Sequence, residues 1–219
     1  MTDGGAVEPG SHDFETVSSA TVYSGAIMAL RLDQVSMPGA RIVEREVVEH
    51  HGAVAVAAID DDDNVVLINQ YRHPIGRRLL ELPAGLLDLP GEDPLAAAQR
   101  ELAEETGLAA REWAVLVDVV LSPGFTDEAL RVYLARGLYE TDRPEPELEE
   151  ADLEVVRMPV AAAVRSALAG EIVNATAVAG VLALAAARAG NVELRAKDAP
   201  WHGQPTAFLR RKAARKSED

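Results

Sequence analysis

The sequence predicts a mixed α/β fold, and three observations carry that expectation. Segments of strand character stand both before and after one sharply punctuated helix. Two alanine-rich helical stretches, near 160–169 and 175–188, lie behind the last strand segment. Successive strand segments follow one another through short turns, which argues against a purely parallel sheet, whose strands need long crossovers. Neither a strand-Gly-x-Gly-x-x-Gly-helix fingerprint nor a P-loop is present, and there is no internal repeat.

Residues 1–13 are polar and acidic and read as a loose tail. Residues 14–50 form an N-terminal β segment of three period-two stretches, "TVSSATVYSG", "AIMALRLDQVSM" and "ARIVEREVVEH". In the third, Val43, Arg45 and Val47 share one face. The main domain is expected over 51–190. It begins with "GAVAVAAI" (52–59), a continuous apolar run bounded by turn residues, hence a buried strand. "DDDDN" (60–64) has nothing to bury and favours a turn. Its contiguous aspartates lack the spacing of a calcium loop. "VVLINQYR" (65–72) is expected to return as the hairpin partner. "ELPAGLLDLPGEDP" (81–94), rich in glycine and proline, reads as a loop.

A helix over Pro94–Thr106 follows, with Asp93 as N-cap, Pro94 at the first helical position and Gly107 placed for a left-handed C-terminal cap. "REWAVLVDVVLS" (111–122) and "EALRVYLARGL" (128–138) read as strands around the loop "PGFTD", and "LEVVRMP" (153–159) as a last strand. Residues 191–219 form a C-terminal extension whose basic end, "RRKAARK", reads as a short solvated tail.

Length and composition bound the rest. A chain of 219 residues at 48% hydrophobic content suits one compact domain with a smaller appended part. The absence of cysteine excludes disulfides, thiolate zinc sites and cysteine nucleophiles. No window nears the ~18 apolar residues of a membrane span, and the N-terminus lacks the basic and apolar parts of a secretory signal, so the cytoplasm is the expected compartment. A net charge of −15 repels nucleic acid and anionic membranes. It also disfavours a polyphosphate ligand unless arginines or divalent cations invert the field locally.

The most informative stretch is "ELAEETG" (101–107), which places Glu101, Glu104 and Glu105 at spacing i, i+3, i+4. At roughly 100° per residue the three carboxylates cover an arc of about 100°. Leu95, Ala98 and Leu102 lie on the neighbouring arc, toward a core. Like charges so placed weaken a helix by a few tenths of a kcal/mol. One reading is a solvated charged stripe. The other is a cation site, completed by backbone carbonyls of the preceding loop, where Gly85 has no side chain to block approach. Oxygen-only ligands suit Mg²⁺ or Mn²⁺, not zinc.

Gly85-x6-Glu92-x7-Arg100-Glu101-Leu102-x-Glu104-Glu105-x-Gly107-Leu108 resembles the Nudix hydrolase box. One extra residue stands between Gly85 and Glu92; the register of the helix is intact. The resemblance implies an α/β/α sandwich around a mixed sheet, and hydrolysis of a nucleoside diphosphate linked to another group. It implies that Glu101 and Glu105 ligate a divalent metal, that Glu104 acts there directly or through water, and that the Ala84 carbonyl is a further ligand. Glu105 and Glu104 are thereby also catalytic candidates. Glu92 and Arg100 are implied to be an ion pair bracing loop to helix.

Pro123, sixteen residues beyond Gly107, and "ELPAGLLD" resemble the ADP-ribose pyrophosphatase branch. That resemblance implies Glu128 as general base, with Asp127 and Glu104 as rivals. It implies a diphosphate contact for Arg72 and another for Arg45 across a dimer interface. For both arginines, surface ion pairs are the competing reading. Tyr23 is a candidate aromatic face for adenine or, equally, an interface tyrosine. The implied enzyme is a homodimer using Mg²⁺ (or Mn²⁺) to cleave ADP-ribose to AMP and ribose 5-phosphate. Alternatives are another substrate, such as an ADP-sugar, NADH or an oxidised nucleotide, or a non-catalytic ADP-ribose sensor. The sensor reading sits badly with the intact glutamates.

Overall fold

In a computed structural model of the chain, residues 10–143 and 152–216 are described. The first nine residues of the expected tail and the last three of the sequence lie outside them. The chain divides into two units that are discontinuous in sequence: one takes in Met1–His51, Ser122–Glu128 and Pro205–Asp219, the other Gly52–Leu121 and Ala129–Gln204.

The larger unit is layered. Its main sheet has the order β11-β8-β9-β4-β7, from β4 (Ala53–Ala58), β7 (Ala84–Leu86), β8 (Leu108–Val120), β9 (Ala129–Glu140) and β11 (Arg195–Ala196). The β4–β9 pair is parallel and β8–β9 and β4–β7 are antiparallel, so the sheet is mixed. A second sheet has the order β10-β5-β6, from β5 (Asn64–Arg72), β6 (Arg77–Glu81) and β10 (Glu154–Pro159).

Side-chain alternation along β4 organises the core. Val54, Val56 and Ala58 point to one face and pack with Ala97, Ala98 and Leu102 of helix α1 (Pro94–Thr106). Ala53, Ala55 and Ala57 point to the other and pack with residues of α2 (Val160–Leu168) and α3 (Ala175–Gly190). Because both faces are covered, every residue of β4 is buried and the segment is apolar without a break. A Cβ at Gly180 would lie 2.5 Å from a methyl of Leu82, a measure of how closely α3 approaches its neighbours.

Three expectations need correction. The 65–72 segment is not the ladder partner of 52–59. The chain does turn at Asp60, whose carboxylate accepts from the amides of Asp62 and Asn64 at 3.1 and 2.8 Å. Beyond one bridge, Ile59 to Val65, β5 leaves for the other sheet, because both edges of β4 are taken by β7 and β9. The 81–94 loop contains β7, a strand of three residues that exists by pairing with β4. The C-terminal end is not a solvated tail. It forms α4 (Ala207–Lys216) in the smaller unit.

The smaller unit contains the antiparallel sheet β1-β2-β3, from β1 (Thr16–Ser24), β2 (Met28–Met37) and β3 (Arg41–His50). Helix α4 is held by Phe208, fully buried with its ring edge-on to His51 at 4.6 Å, a burial that contributes about 2–3 kcal/mol. The Arg211 guanidinium donates to both oxygens of buried Glu49, at 2.7 and 2.8 Å, and Lys212 donates to the Ala26 carbonyl at 2.9 Å. Arg31 donates to the same Glu49 at 2.6 Å.

Candidate active site

Helix α1 starts and stops where its end groups dictate. Asp93 accepts from the Leu95 amide at 2.9 Å, Pro94 needs no partner for an amide it lacks, and Gly107 at φ 69° closes the end by donating to the Ala103 carbonyl. The apolar arc packs inward: Ala98 and Leu102 are fully buried. The carboxylate stripe is thereby turned toward the loop preceding the helix.

The three glutamates occupy distinct environments. Glu105 is buried, and its Oε2 accepts from the Ala84 amide at 2.9 Å. Glu101 lies against Gly85, where a Cβ would meet Glu101 Oε2 at 2.5 Å and its Oε1 and Cδ closer still. Glu104 is the most open of the three, its side chain 29% exposed. The loop thus meets the helix through backbone at Ala84 and Gly85, and a Cβ at 85 would displace the Glu101 carboxylate.

Arg100 binds the stripe to the loop. Its Nε and Nη2 donate to the two oxygens of Glu92 at 2.9 and 3.1 Å, so the expected loop-to-helix ion pair forms as a two-pronged fork. Its Nη1 donates to Glu101 Oε1 at 2.7 Å and to Glu104 Oε2 at 2.8 Å. Glu92 first, then Glu101 and Glu104, hold the guanidinium in its charged form still more firmly than usual, against the burial that opposes it.

These residues suit a hard divalent cation. The donors are carboxylates with a backbone segment beside them, the glycine leaves a cradle that a Cβ would fill, and two carboxylates already converge on one positive nitrogen. Among the described residues no three or more His, Asp or Glu side chains are gathered into a coordination shell, and Arg100 Nη1 donates to both Glu101 and Glu104.

The other candidates of the larger unit lie elsewhere on its framework. Arg72 ends β5, and its Nε and Nη2 donate to the buried carboxylate of Glu81 at 3.0 and 2.8 Å. Sequence reasoning missed Glu81; a glutamate closing the apolar run "LLELP" was the available signal. It also missed Arg131, 2% exposed, which donates to both oxygens of Asp118 at 2.8 and 3.0 Å and to the carbonyls of Ala199 and Pro200. Burial pushes the Asp118 carboxyl up, but Arg131 and Arg195 outweigh it and hold it below the usual range.

The remaining candidates belong to the smaller unit. Arg45 is exposed on β3 and donates to its neighbour's carbonyl, Glu44 O, at 3.1 Å. Tyr23 is exposed on β1 and lines a concavity with Thr21, Ser24 and Arg210. Glu128 Oε1 stands 3.7 Å from His50 Nδ1. Asp127, its rival as base, is committed to the backbone: its Oδ1 accepts from the His50 amide at 2.8 Å. Burial, which dominates, and nearby Glu49 push the Asp127 carboxyl above its usual range, against the His50 hydrogen bond.

A model of the NUDIX domain matches residues 49–178. Over 204 residues, 93% of this chain and 99% of the relative, the sequence is 57% identical to a Mycobacterium tuberculosis protein named ADP-ribose pyrophosphatase. Over 161 residues, 74% of this chain and 86% of the relative, it is 34% identical to a Bacillus subtilis protein of the same name. A crystal structure described as an ADP compounds hydrolase superposes with a TM-score of 0.68, covering 82% of this chain and 96% of its own; at 24% identity this is a likeness of fold.

Proposed function

This chain belongs to the Nudix hydrolase family, and from that premise we propose that it hydrolyses the diphosphate of ADP-ribose to AMP and ribose 5-phosphate. Members of the family generally depend on divalent metal. The observation that carries the proposal is the acidic face of α1 seated on Ala84 and Gly85 and braced by Arg100 to Glu92, in a chain so similar over most of its length to a protein named ADP-ribose pyrophosphatase.

Glu101, Glu104, Glu105 and the Ala84 carbonyl are the proposed ligands of Mg²⁺ (or Mn²⁺). Bound there, the cation supplies charge neutralisation for a diphosphate and lowers the pKa of water. The protein's own part is to hold the donors. The Ala84 amide orients Glu105, Arg100 keeps Glu101 and Glu104 converged, and Gly85 leaves the space. Glu128 is the proposed general base, which takes the proton of the attacking water. Arg72, steadied by Glu81, and Arg45 are the proposed diphosphate donors, each a permanently charged planar fork. Tyr23 is the proposed adenine contact.

Residues 14–50 are proposed to form a homodimer interface. Val17, Val22, Tyr23 and Ile42 leave large apolar surface exposed on β1 and β3, which supports that reading. Analytical sedimentation checks it, and a fully active monomer removes it. Among the described residues no helix is long and apolar enough to cross a membrane. From its net charge of −15 we place the protein in the cytoplasm without a nucleic acid partner.

The test of function is product analysis. Purified protein with Mg²⁺ is to convert ADP-ribose to AMP and ribose 5-phosphate, faster than an ADP-sugar, NADH or an oxidised nucleotide. E105Q, which keeps an acceptor for the Ala84 amide, is to remain folded and lose turnover by roughly 10²–10³-fold, the scale of losing a transition-state charge contact. Wild-type turnover by E105Q refutes the assignment.

A further inference from the structure

Within the larger unit, one buried cation ties the segment after β11 to the main sheet. Arg131, on β9, donates through Nη1 to the Ala199 carbonyl at 2.7 Å and through Nη2 to the Pro200 carbonyl at 3.1 Å, while Nε and Nη2 also take the two oxygens of Asp118 on β8. The same guanidinium lies over the Trp201 indole, its Cζ 5.0 Å from the ring centroid, and so fixes that ring on the sheet. At the end of β8 and the start of β9 this leaves a cavity of about 190 Å³, lined by Asp118, Arg195, Pro200, Trp201 and His202. Ordinary ligand sites begin at roughly 300 Å³, so this one takes a single ring of a ligand and not a whole nucleotide.

Strand register places the cavity alongside the carboxylate stripe. Gly85, Val54, Arg131 and Asp118 stand side by side across β7, β4, β9 and β8. Their common face is the one under α1: Glu101 seats on Gly85, Val54 packs with Ala98 and Leu102, and Trp201 packs against the same cluster. Three strand intervals, roughly 14 Å, separate Gly85 from Asp118, which keeps the cavity within reach of a sugar whose phosphate is held at the stripe.

The open groups of the cavity are those that meet vicinal hydroxyls. Asp118 accepts two bonds from Arg131 and a third from Arg195 Nη1 at 2.7 Å, of the roughly four a carboxylate can take, and it is partly exposed. Arg195 is half-exposed and spends only Nη1 among the described residues, so Nε and Nη2 remain to donate. A hydroxyl both donates and accepts, and a carboxylate beside a guanidinium answers a pair of them. Trp201 and Pro200 supply an apolar wall for the carbon face of the ring. A phosphate is answered only by half, since Arg195 attracts it and Asp118 repels it.

We propose that this cavity is a subsite for the cis-diol of a ribose, with Asp118 accepting from the hydroxyls, Arg195 donating to them and Trp201 lying against the ring. Arg131 is the positioning residue that holds Asp118 and Trp201 in place. The proposal rests on the reading of ADP-ribose as substrate, whose adenosine and terminal riboses both carry that diol.

The test titrates the protein, with Mg²⁺ present, with AMP and with ribose 5-phosphate and reads tryptophan emission. W201F identifies the part that comes from Trp201; if W201F does not fold, W113F leaves Trp201 as the one tryptophan and gives the same reading. A saturable change in Trp201 emission with AMP assigns the adenosine ribose, one with ribose 5-phosphate the terminal ribose, and either supports the subsite. A change with neither overturns it. The 2-deoxy or the 3-deoxy form of the responding sugar is expected to bind roughly 10–100-fold more weakly, the scale of a hydrogen bond to a charged group. Unweakened binding of both deoxy forms overturns the diol. R195A is expected to raise KM for ADP-ribose by roughly 10-fold with kcat within a few-fold, the mark of lost uniform binding, and an unchanged KM overturns the role of Arg195. If ADP-ribose is not hydrolysed while Trp201 still answers a ribose phosphate, the reading of the substrate fails and the subsite stands. If hydrolysis proceeds and Trp201 answers neither, the subsite fails and the reading of the substrate stands.

Discussion

Replacing Gly85 by alanine isolates the seating of Glu101. Gly85 is not among the residues of positive φ, so alanine meets no backbone penalty there. The new methyl would instead meet Glu101 Oε2 at 2.5 Å, with Oε1 and Cδ nearer. An ordinary contact needs about 3.4 Å or more, so the carboxylate must retreat by more than about 1 Å. The retreat is mechanically easy, since the displaced atoms are the end of a flexible side chain, and the stability cost is expected to stay near 1 kcal/mol or below. The functional cost is not small. Metal ligands tolerate about ±0.2 Å, and a misplacement of ~1 Å at a reacting centre costs on the order of 100-fold in rate, about 2.7 kcal/mol. G85A is therefore expected to keep its thermal midpoint within a few degrees, bind Mg²⁺ more weakly, and release AMP from ADP-ribose at least ~100-fold more slowly. Calorimetric titration with Mg²⁺, a thermal scan and a product assay read the three quantities. Unchanged turnover refutes the seating of Glu101 on Gly85 as a functional contact. A collapse of the thermal midpoint refutes the claim that the carboxylate, not the backbone, yields.

R100K keeps a positive charge but cannot form the fork to Glu92 while serving Glu101 and Glu104; with Arg100 partly exposed, a loss of about 2 kcal/mol is expected, or about 4–8 °C in thermal midpoint. Added Mg²⁺ is expected to restore part of that loss, and no response to the ion counts against the cation site. The Arg211 fork, then Arg31, hold the Glu49 carboxyl below its ordinary 4.5 despite burial, so this stabilisation is complete above about pH 4.5 and fades as pH falls through the lowered value. Thermal scans across pH 3–6 are expected to show R211A less stable than wild type at the upper end and the difference narrowing toward the acid end; parallel curves refute the coupling.

What was legible in the sequence was local. The limits of α1 follow from Asp93, Pro94 and Gly107, each of which acts on its own turn of helix. The burial of β4 follows from an unbroken apolar run. The fork between Arg100 and Glu92 joins residues eight apart, close enough for a motif to hold both. What stayed illegible depends on partners far along the chain. β7 has three residues and no strand signal of its own; it exists because Ala53–Ala55 of β4 offers it an edge. The expected 52–59 with 65–72 hairpin failed for the same reason, since occupation of β4 by β9 and β7 is invisible to local pattern. Helix α4 reads as a charged tail until Phe208 meets His51 and Arg211 meets Glu49, 162 residues away. At the candidate site, the glutamates were readable by spacing. The histidine beside Glu128 was not, because the two lie 78 residues apart.

The arrangement around Arg100 resolves the tension between an acidic chain and an anionic substrate. At −15 the protein repels a diphosphate, and three glutamates on one helical face add to that repulsion. Arg100 divides its work between two edges. One edge, Nε and Nη2, is engaged by Glu92 and holds helix to loop; the other, Nη1, donates to Glu101 and Glu104. A cation that drew Glu101 and Glu104 away from Nη1 would leave the brace to Glu92 standing, so the site would exchange its counter-charge without loosening the helix from the loop. Glu105 is outside that exchange, held by a backbone amide. A lysine has one nitrogen and cannot separate the two tasks. The geometry therefore accounts for an arginine, not merely a positive charge, immediately ahead of the glutamates, and for a stripe of like charges that persists folded while leaving its most open members available to a metal.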